Sequence, residues 1–283
     1  MKLHAGPLLH KNVIDCHKCG FAHWHPLPDA STVARYYEED KFYSQHSPPG
    51  WFLKEREEYE AGLWDSYYDY LAGFLSRSRY VFDIGAGCGW MVTYLGMKKG
   101  FTAFGLEPSF SARAFLPNQN DMFMDWEQFT RRYPGAVPKG NIVLMLTLEH
   151  ILDPETWLRE EVLPHLDGRL IVVVPNEFNP LQKALGTTHF ISPVHLNYFT
   201  PKTLRGLLER LGLTVVAEGA TFPMEIFSFI GRNHIGNDEM GRRNHLLRLK
   251  LEKALGVRAF KLYRILYKFF GVGREIIMVA ERR

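Results

Sequence analysis

Three cysteines in 283 residues are too few for a disulfide scaffold. No apolar run approaches the roughly 20 residues that a membrane-spanning helix needs, and the most apolar stretch, Leu170 to Val174, stops at Pro175. The opening Met1-Lys2-Leu3-His4-Ala5-Gly6-Pro7 lacks the apolar core of a secretory signal, so a reducing, cytoplasmic setting is expected. Charge of one sign is scarce too. A net +3 is too weak to argue for a nucleic-acid partner, which needs a concentrated basic patch. No internal repeat or low-complexity tract stands out. With 46% hydrophobic residues, the chain can bury one substantial core and still carry appendages.

From Tyr80 onward, short β-branched runs alternate with helical segments. Val81-Phe82-Asp83-Ile84 reads as a strand, Trp90 to Lys99 as a helix, and Phe101 to Leu106 and Asn141 to Leu146 as further strands. Asp153 before Pro154 and Thr200 before Pro201 each place a capping side chain ahead of a proline at the first helical position. Arg169 to Val174 reads as a buried strand, Leu213 to Ala217 as the next, and Arg274 to Ala280 as the last. The pattern predicts an α/β fold with a largely parallel sheet. The first sixty residues differ: they are rich in His, Tyr, Trp and Pro and show little strand alternation, so they read as an extension followed by helices that lead into the core.

The strand ending at Asp83 runs into Gly85-Ala86-Gly87-Cys88-Gly89, a turn whose glycines let backbone approach a ligand closely. A dinucleotide fingerprint, G-x-G-x-x-G, would put its third glycine at residue 90. Trp90 stands there, so the G-x-G-x-G spacing disfavours an NAD-dependent oxidoreductase.

The sequence resembles the class I S-adenosylmethionine (SAM) dependent methyltransferases, in particular the broad group of ubiquinone-type and sugar-modifying bacterial enzymes. The resemblance rests on Val81 to Gly89, Gly105-Leu106-Glu107-Pro108-Ser109, Asn141 to Pro154 (containing Thr147-Leu148-Glu149-His150), Val174-Pro175-Asn176, and His195 to Leu204. It implies a Rossmann-like sheet, mostly parallel with its last strand antiparallel, with helices on both faces and a small N-terminal extension. It implies SAM as cofactor, with Asp83, Gly85, Ala86, Gly87, Gly89, Glu107 and Pro108 at the site. In that reading the methionine part lies against the glycine turn and Glu107 accepts from the ribose hydroxyls. Asp125 and Trp126 would frame the adenine, and the backbone of Leu146, Thr147 and Leu148 would face the methionine end. Base-modifying relatives commonly carry a D/N-P-P-Y/F motif where this chain has Thr147-Leu148-Glu149-His150, so a nucleic-acid substrate is not expected.

Methyl transfer to a hydroxyl needs the acceptor held in line and its proton removed. His195 and His150 are the candidate bases, His195 first, because neutral imidazole takes a proton near physiological pH. Either histidine can instead orient its loop. Glu177 and Tyr198 are further pocket candidates. The expected acceptor is a small molecule or glycan precursor, methylated on oxygen before nitrogen or carbon. A SAM-binding regulatory or scaffold protein with an inactive acceptor site is the alternative.

Two appendages remain. Residues 1–60 carry Cys16-His17-Lys18-Cys19, the C-x-x-C spacing of half a zinc site, similar to the ribbon that begins related methyltransferases. The usual first cysteine pair is missing, and only His4, His10, His17, His23 and His25 are at hand to complete four ligands, so a remnant without metal is the first expectation. Tyr36, Tyr37, Phe42, Tyr43, Trp51 and Phe52 form either a lid over the acceptor pocket or ordinary core. Residues 61–283 form the catalytic domain, with an insertion at about 222–272 before the last strand, expected near the open edge of the acceptor site. There, basic residues from Arg242 to Lys268 interleave with Leu, Ile and Phe. Such an amphipathic pattern suits an anionic membrane surface, a phosphorylated substrate or simple solvation.

Overall fold

The computed structural model describes residues 3–4, 12–39, 43, 50–76, 78–115, 122–133, 138–186, 195–234 and 236–283. Its strands are β1 (Leu3–His4), β2 (Asn12–Cys16), β3 (Phe21–His25), β4 (Tyr80–Ile84), β5 (Thr102–Leu106), β6 (Phe123–Met124), β7 (Gly140–Met145), β8 (Leu166–Pro175), β9 (Asn197–Tyr198), β10 (Leu213–Ala220) and β11 (Glu275–Arg282). Seven of them form the main sheet in the order β10-β11-β8-β7-β4-β5-β6. All run parallel except β11, which lies antiparallel between β10 and β8 with Ile277 opposite Val173 and Gly219. The mostly parallel sheet with an antiparallel last strand is the one expected from the sequence.

Side-chain alternation along each strand divides the core between the two faces. Phe82, Phe104, Ile142, Val172, Val174 and Met278 meet Leu204, Leu207 and Leu208 of helix Pro201–Arg210 on one face. Val81, Ala103, Val143, Val173 and Ile277 meet helices Asp65–Ala72, Trp90–Lys99 and Val257–Phe270 on the other. Strands covered on both faces need continuous apolar runs, which is why β8 was legible. The two proline-led helix starts are also present: Asp153 accepts from the Thr156 amide and Thr200 from the Thr203 amide. The first of these helices keeps α geometry only to Trp157 before a wider turn over Leu158–Val162.

The extension departs from its sequence reading. β1, β2 and β3 form an antiparallel meander, extended by β9 from far along the chain, so that Ala22 faces Tyr198 and His23 faces Asn197. Val13, Phe21, Ala22 and Trp24 are buried there. Five-residue strands broken by His, Asp and Cys show no clean period of two, which hid them. Helices Ala30–Glu38 and Trp51–Glu60 follow.

The insertion folds as a short turn of helix, Ile226–Phe229, and two longer helices, Asp238–Leu255 and Val257–Phe270. Its second helix packs Phe260 on Tyr67 and Tyr70, with ring centroids 5.4 and 5.1 Å apart. The insertion therefore rests on one face of the sheet. Its end meets the tip of β8, where Asn176 Nδ2 donates to the Gly271 and Gly273 carbonyls.

Candidate active site

The parallel strands end on one side of the sheet, where open α/β folds place their ligands. At the end of β4 the chain turns through Gly85, Gly87 and Gly89, all left-handed, with φ of 77°, 55° and 74°. A Cβ on Gly85 would stand 2.3 Å from the Thr147 Oγ1, so this glycine is required by both conformation and space. Thr147 is held there because its hydroxyl donates to the Ile84 carbonyl (2.9 Å). Beside it Leu146, at φ 58°, is the one described non-glycine residue in the left-handed region, and its side chain is exposed. Strain of this kind collects where backbone is shaped for a ligand.

Glu107, at the end of β5, braces the turn: its carboxylate accepts from the Gly87 amide and the Ser109 amide, each at 2.9 Å. Asp83 lies one strand away with a different fate. Its carboxyl is buried, and neither oxygen has a hydrogen-bond partner among the described residues. Burial, reinforced by the Glu107 charge, raises its pKa to about 7. A desolvated carboxylate without donors is a ready partner for a cationic or hydrogen-bond-donating ligand.

Arg113 connects Glu107 to the next strand. It donates to the Glu107 and Pro108 carbonyls and lies 3.4 Å from the Asp125 carboxylate. Asp125 also caps helix Trp126–Arg132 through the Gln128 amide. Trp126 packs against Phe129 and His165. Trp90 opens the helix after the glycine turn and stacks on Tyr59, 4.7 Å between centroids. Phe52 contacts both Tyr43 and Phe115, and a Cβ on Gly87 would meet the Tyr43 hydroxyl at 3.4 Å. The aromatic run therefore reaches the glycine turn; Phe42 and the side chain of Tyr36 lie outside the described residues.

A second group gathers beyond β7 and β8. The rings of His150 and His195 meet edge to face at 5.0 Å, and Glu177 Oε1 lies 2.6 Å from His195 Nδ1. The carboxylate would favour imidazolium, yet burial and the nearby Arg274 charge outweigh it and lower His195 to about 4. His195 is thus a neutral imidazole. The Glu177 contact assigns the proton to Nδ1 and leaves the Nε2 lone pair. Glu149 is buried, and both its carboxylate oxygens lack a hydrogen-bond partner among the described residues. Ligand atoms of Glu149, His150 and His195 lie within 4.8 Å of one another, close enough to share a divalent cation. Sequence reasoning misses Glu149 as a site residue; the available signal is a carboxylate in the turn that follows a central strand.

The C-x-x-C turn joins β2 to β3. Cys16 and Cys19 have their sulfurs 3.3 Å apart, and His23 brings a third donor within 4.8 Å. That is one short of the four donors of a structural zinc; His10 and the side chain of His4 lie outside the described residues. Burial raises the Cys16 thiol, but hydrogen bonds from Cys19 and His23 outweigh it and bring it to about 7. The turn is not remote from the histidines. The Trp24 amide donates to the Leu196 carbonyl (3.0 Å), Trp24 Nε1 to the Tyr198 hydroxyl (2.8 Å), and that hydroxyl to the His195 carbonyl (3.0 Å). A cleft of about 290 Å³ runs along this junction, lined by Cys16, Phe21, Phe178, Tyr198 and Thr203 and by none of the glycine-turn residues.

Residues 56–218 match the family profile described as "Methyltransferase domain". No curated protein sequence matches the chain. Among solved structures it is similar to a SAM-dependent methyltransferase, possible histamine N-methyltransferase, from Thermotoga maritima, at 16% identity and TM-score 0.52, covering 88% of this chain and 100% of that one. It is likewise similar to a SAM dependent methyltransferase from Archaeoglobus fulgidus, at 17% identity and TM-score 0.50, covering 82% of this chain and 99% of that one. At such identities the likeness speaks for the fold. The profile match takes in the glycine turn, Glu107 and both histidines over more than half of the sequence, and by it the chain belongs to the methyltransferase domain family.

Proposed function

We propose that this protein transfers a methyl group from SAM to a hydroxyl oxygen of a small-molecule or glycan-precursor acceptor, with His195 as general base. The observation that carries the reading is the placement of His195, whose Nδ1 lies 2.6 Å from Glu177 Oε1 beside the tips of β7 and β8. The orphaned Asp83 carboxylate, the left-handed glycines and the braced Glu107 fit a ligand that carries both cationic and hydroxyl groups. Both solved structures named above are SAM-dependent methyltransferases by name, which supports the same cofactor. SAM supplies an electrophilic methyl group when bound.

The rest falls to the chain. Asp83 offsets positive charge, the Gly85 to Gly89 backbone and Leu146 to Thr147 shape the floor, and Glu107 accepts from the ribose. His195 Nε2 takes the acceptor proton while its Nδ1 proton stays with Glu177. His150, in edge contact with His195, lines the acceptor side. No described helix is long and apolar enough to cross a membrane.

Calorimetry with SAM, its demethylated product and NAD is the first test. SAM and product are expected to bind and NAD is not; binding of NAD alone overturns the reading. With an acceptor in hand, His195→Ala is expected to lower turnover by about 10²-fold or more with SAM affinity nearly unchanged. Undiminished turnover removes His195 as the base.

A further inference from the structure

Helix Val257–Phe270 carries two apolar stripes. Ala259, Phe260 and Tyr263 are buried against the sheet and helix Asp65–Ala72, and Tyr267 is buried in the core cluster of the other face. Leu262, Ile265 and Phe269 recur at i, i+3 and i+7 on the opposite side, where all three are exposed. Phe269 is 72% exposed, Phe270 65% and Ile265 53%. Seven of the sixteen large apolar side chains exposed among the described residues fall between Leu247 and Phe270. That concentration is not the scatter of single apolar residues found on ordinary surfaces.

The charges around the stripe are of one sign. Residues 240–274 hold ten arginines and lysines and a single acidic residue, Glu252, which is buried. Lys250, Arg258, Lys261, Arg264 and Lys268 are exposed, and none of them is in an ion pair with a described carboxylate. On the helical wheel Arg258 falls within the apolar stripe and Lys261, Lys268 and Arg264 border one side of it.

We infer that this helix pair docks on an anionic lipid bilayer, with Leu262, Ile265, Phe269 and Phe270 entering the headgroup and acyl boundary and the flanking cations meeting lipid phosphates. Charge complementarity selects that occupant. A second copy of the chain would set Arg258, Lys261 and Lys268 against their own kind. A double-stranded nucleic acid offers phosphates to the cations but no apolar surface to Leu262 and Ile265 at the centre of the contact. A bilayer of anionic lipid satisfies both the apolar centre and the basic border at once.

The test is co-sedimentation of the full chain with phosphatidylcholine vesicles and with vesicles of equal parts phosphatidylcholine and phosphatidylglycerol. Binding to the anionic vesicles is expected, with little to the neutral ones. Lys261→Glu and Lys268→Glu are each expected to weaken partition by roughly fivefold or more. The double change Phe269→Ser and Phe270→Ser is expected to weaken it by about tenfold or more, with the thermal midpoint retained because both rings are exposed. Equal binding to both vesicle types, or to neither, overturns the inference. So does a concentration-dependent dimer that the Phe269/Phe270 change disrupts in the absence of vesicles. Salt-sensitive binding to single- or double-stranded nucleic acid, unaffected by that change and without vesicle binding, overturns it equally.

Discussion

Gly85 and Gly100 share nearly the same left-handed backbone, at φ 77° and 72°, but not the same neighbours. At Gly100 a Cβ would enter open space; at Gly85 it would overlap Thr147. Alanine at Gly100 is therefore expected to cost only the conformational part, about 1–2 kcal/mol. At Gly85 the overlap adds roughly 1–3 kcal/mol and displaces the Thr147 hydroxyl from Ile84. Gly85→Ala should thus lower both the unfolding free energy and SAM affinity, whereas Gly100→Ala should spare affinity. Equal affinities in a titration of the two variants would count against the glycine turn as cofactor floor. Asp83 invites a second measurement. Its folded pKa, about 7, lies above its ordinary 3.8, so the folded state holds a proton that the unfolded chain has released. Its contribution to stability is fully present below 3.8 and is lost as pH rises through 7. A cationic ligand reverses the preference and drives the proton off. Near pH 6, SAM binding should release a proton, visible as a calorimetric enthalpy that varies with the ionisation enthalpy of the buffer. A buffer-independent heat would place Asp83 away from the ligand charge. His195 has the opposite sign: lowered to about 4, it favours the folded state above its ordinary range and loses that contribution as pH falls from about 6.5 toward 4.

At the scale of elements, β4, β7, β8 and β11 were legible because each carries a run of Val, Ile, Leu or Phe that a doubly covered strand demands. The proline-led helices at Pro154 and Pro201 were legible through their caps. The G-x-G-x-G turn and Glu107 were visible as spacing, and the resemblance gave them roles. The Glu177 contact with His195 was not legible, since the two stand 18 residues apart on separate loops and no local pattern couples them. Nor was the extension's sheet, because its fourth strand is a two-residue segment, Asn197–Tyr198, far along the chain from the other three. That strand makes a sharp test of how the His195 loop is held. Tyr198, almost fully buried, accepts from Trp24 and donates to the His195 carbonyl. Tyr198→Phe removes both bonds, a loss of about 1–3 kcal/mol. The thermal midpoint and turnover should both fall while SAM affinity holds. Wild-type turnover in this variant would show that the histidine loop stands without the hairpin.

At the scale of the whole molecule, the N-terminal strands are joined to the methyltransferase sheet through the loop that bears His195, and the insertion is tied back by Glu58, which meets Arg242 at 2.7 Å and His245 at 3.2 Å. The family match begins at residue 56, past the entire β1–β3 meander. A truncation made at that boundary would keep the glycine turn yet remove the strand against which Asn197 and Tyr198 lie. The order of synthesis poses the same problem in time. The hairpin emerges from the ribosome early, but Trp24 finds its partner Tyr198 only 174 residues later. Until then β3 presents an unpaired edge that other chains can join. The extension thus waits for the catalytic domain to supply its last strand, and a nascent chain stalled before residue 197 would carry an open, aggregation-prone edge.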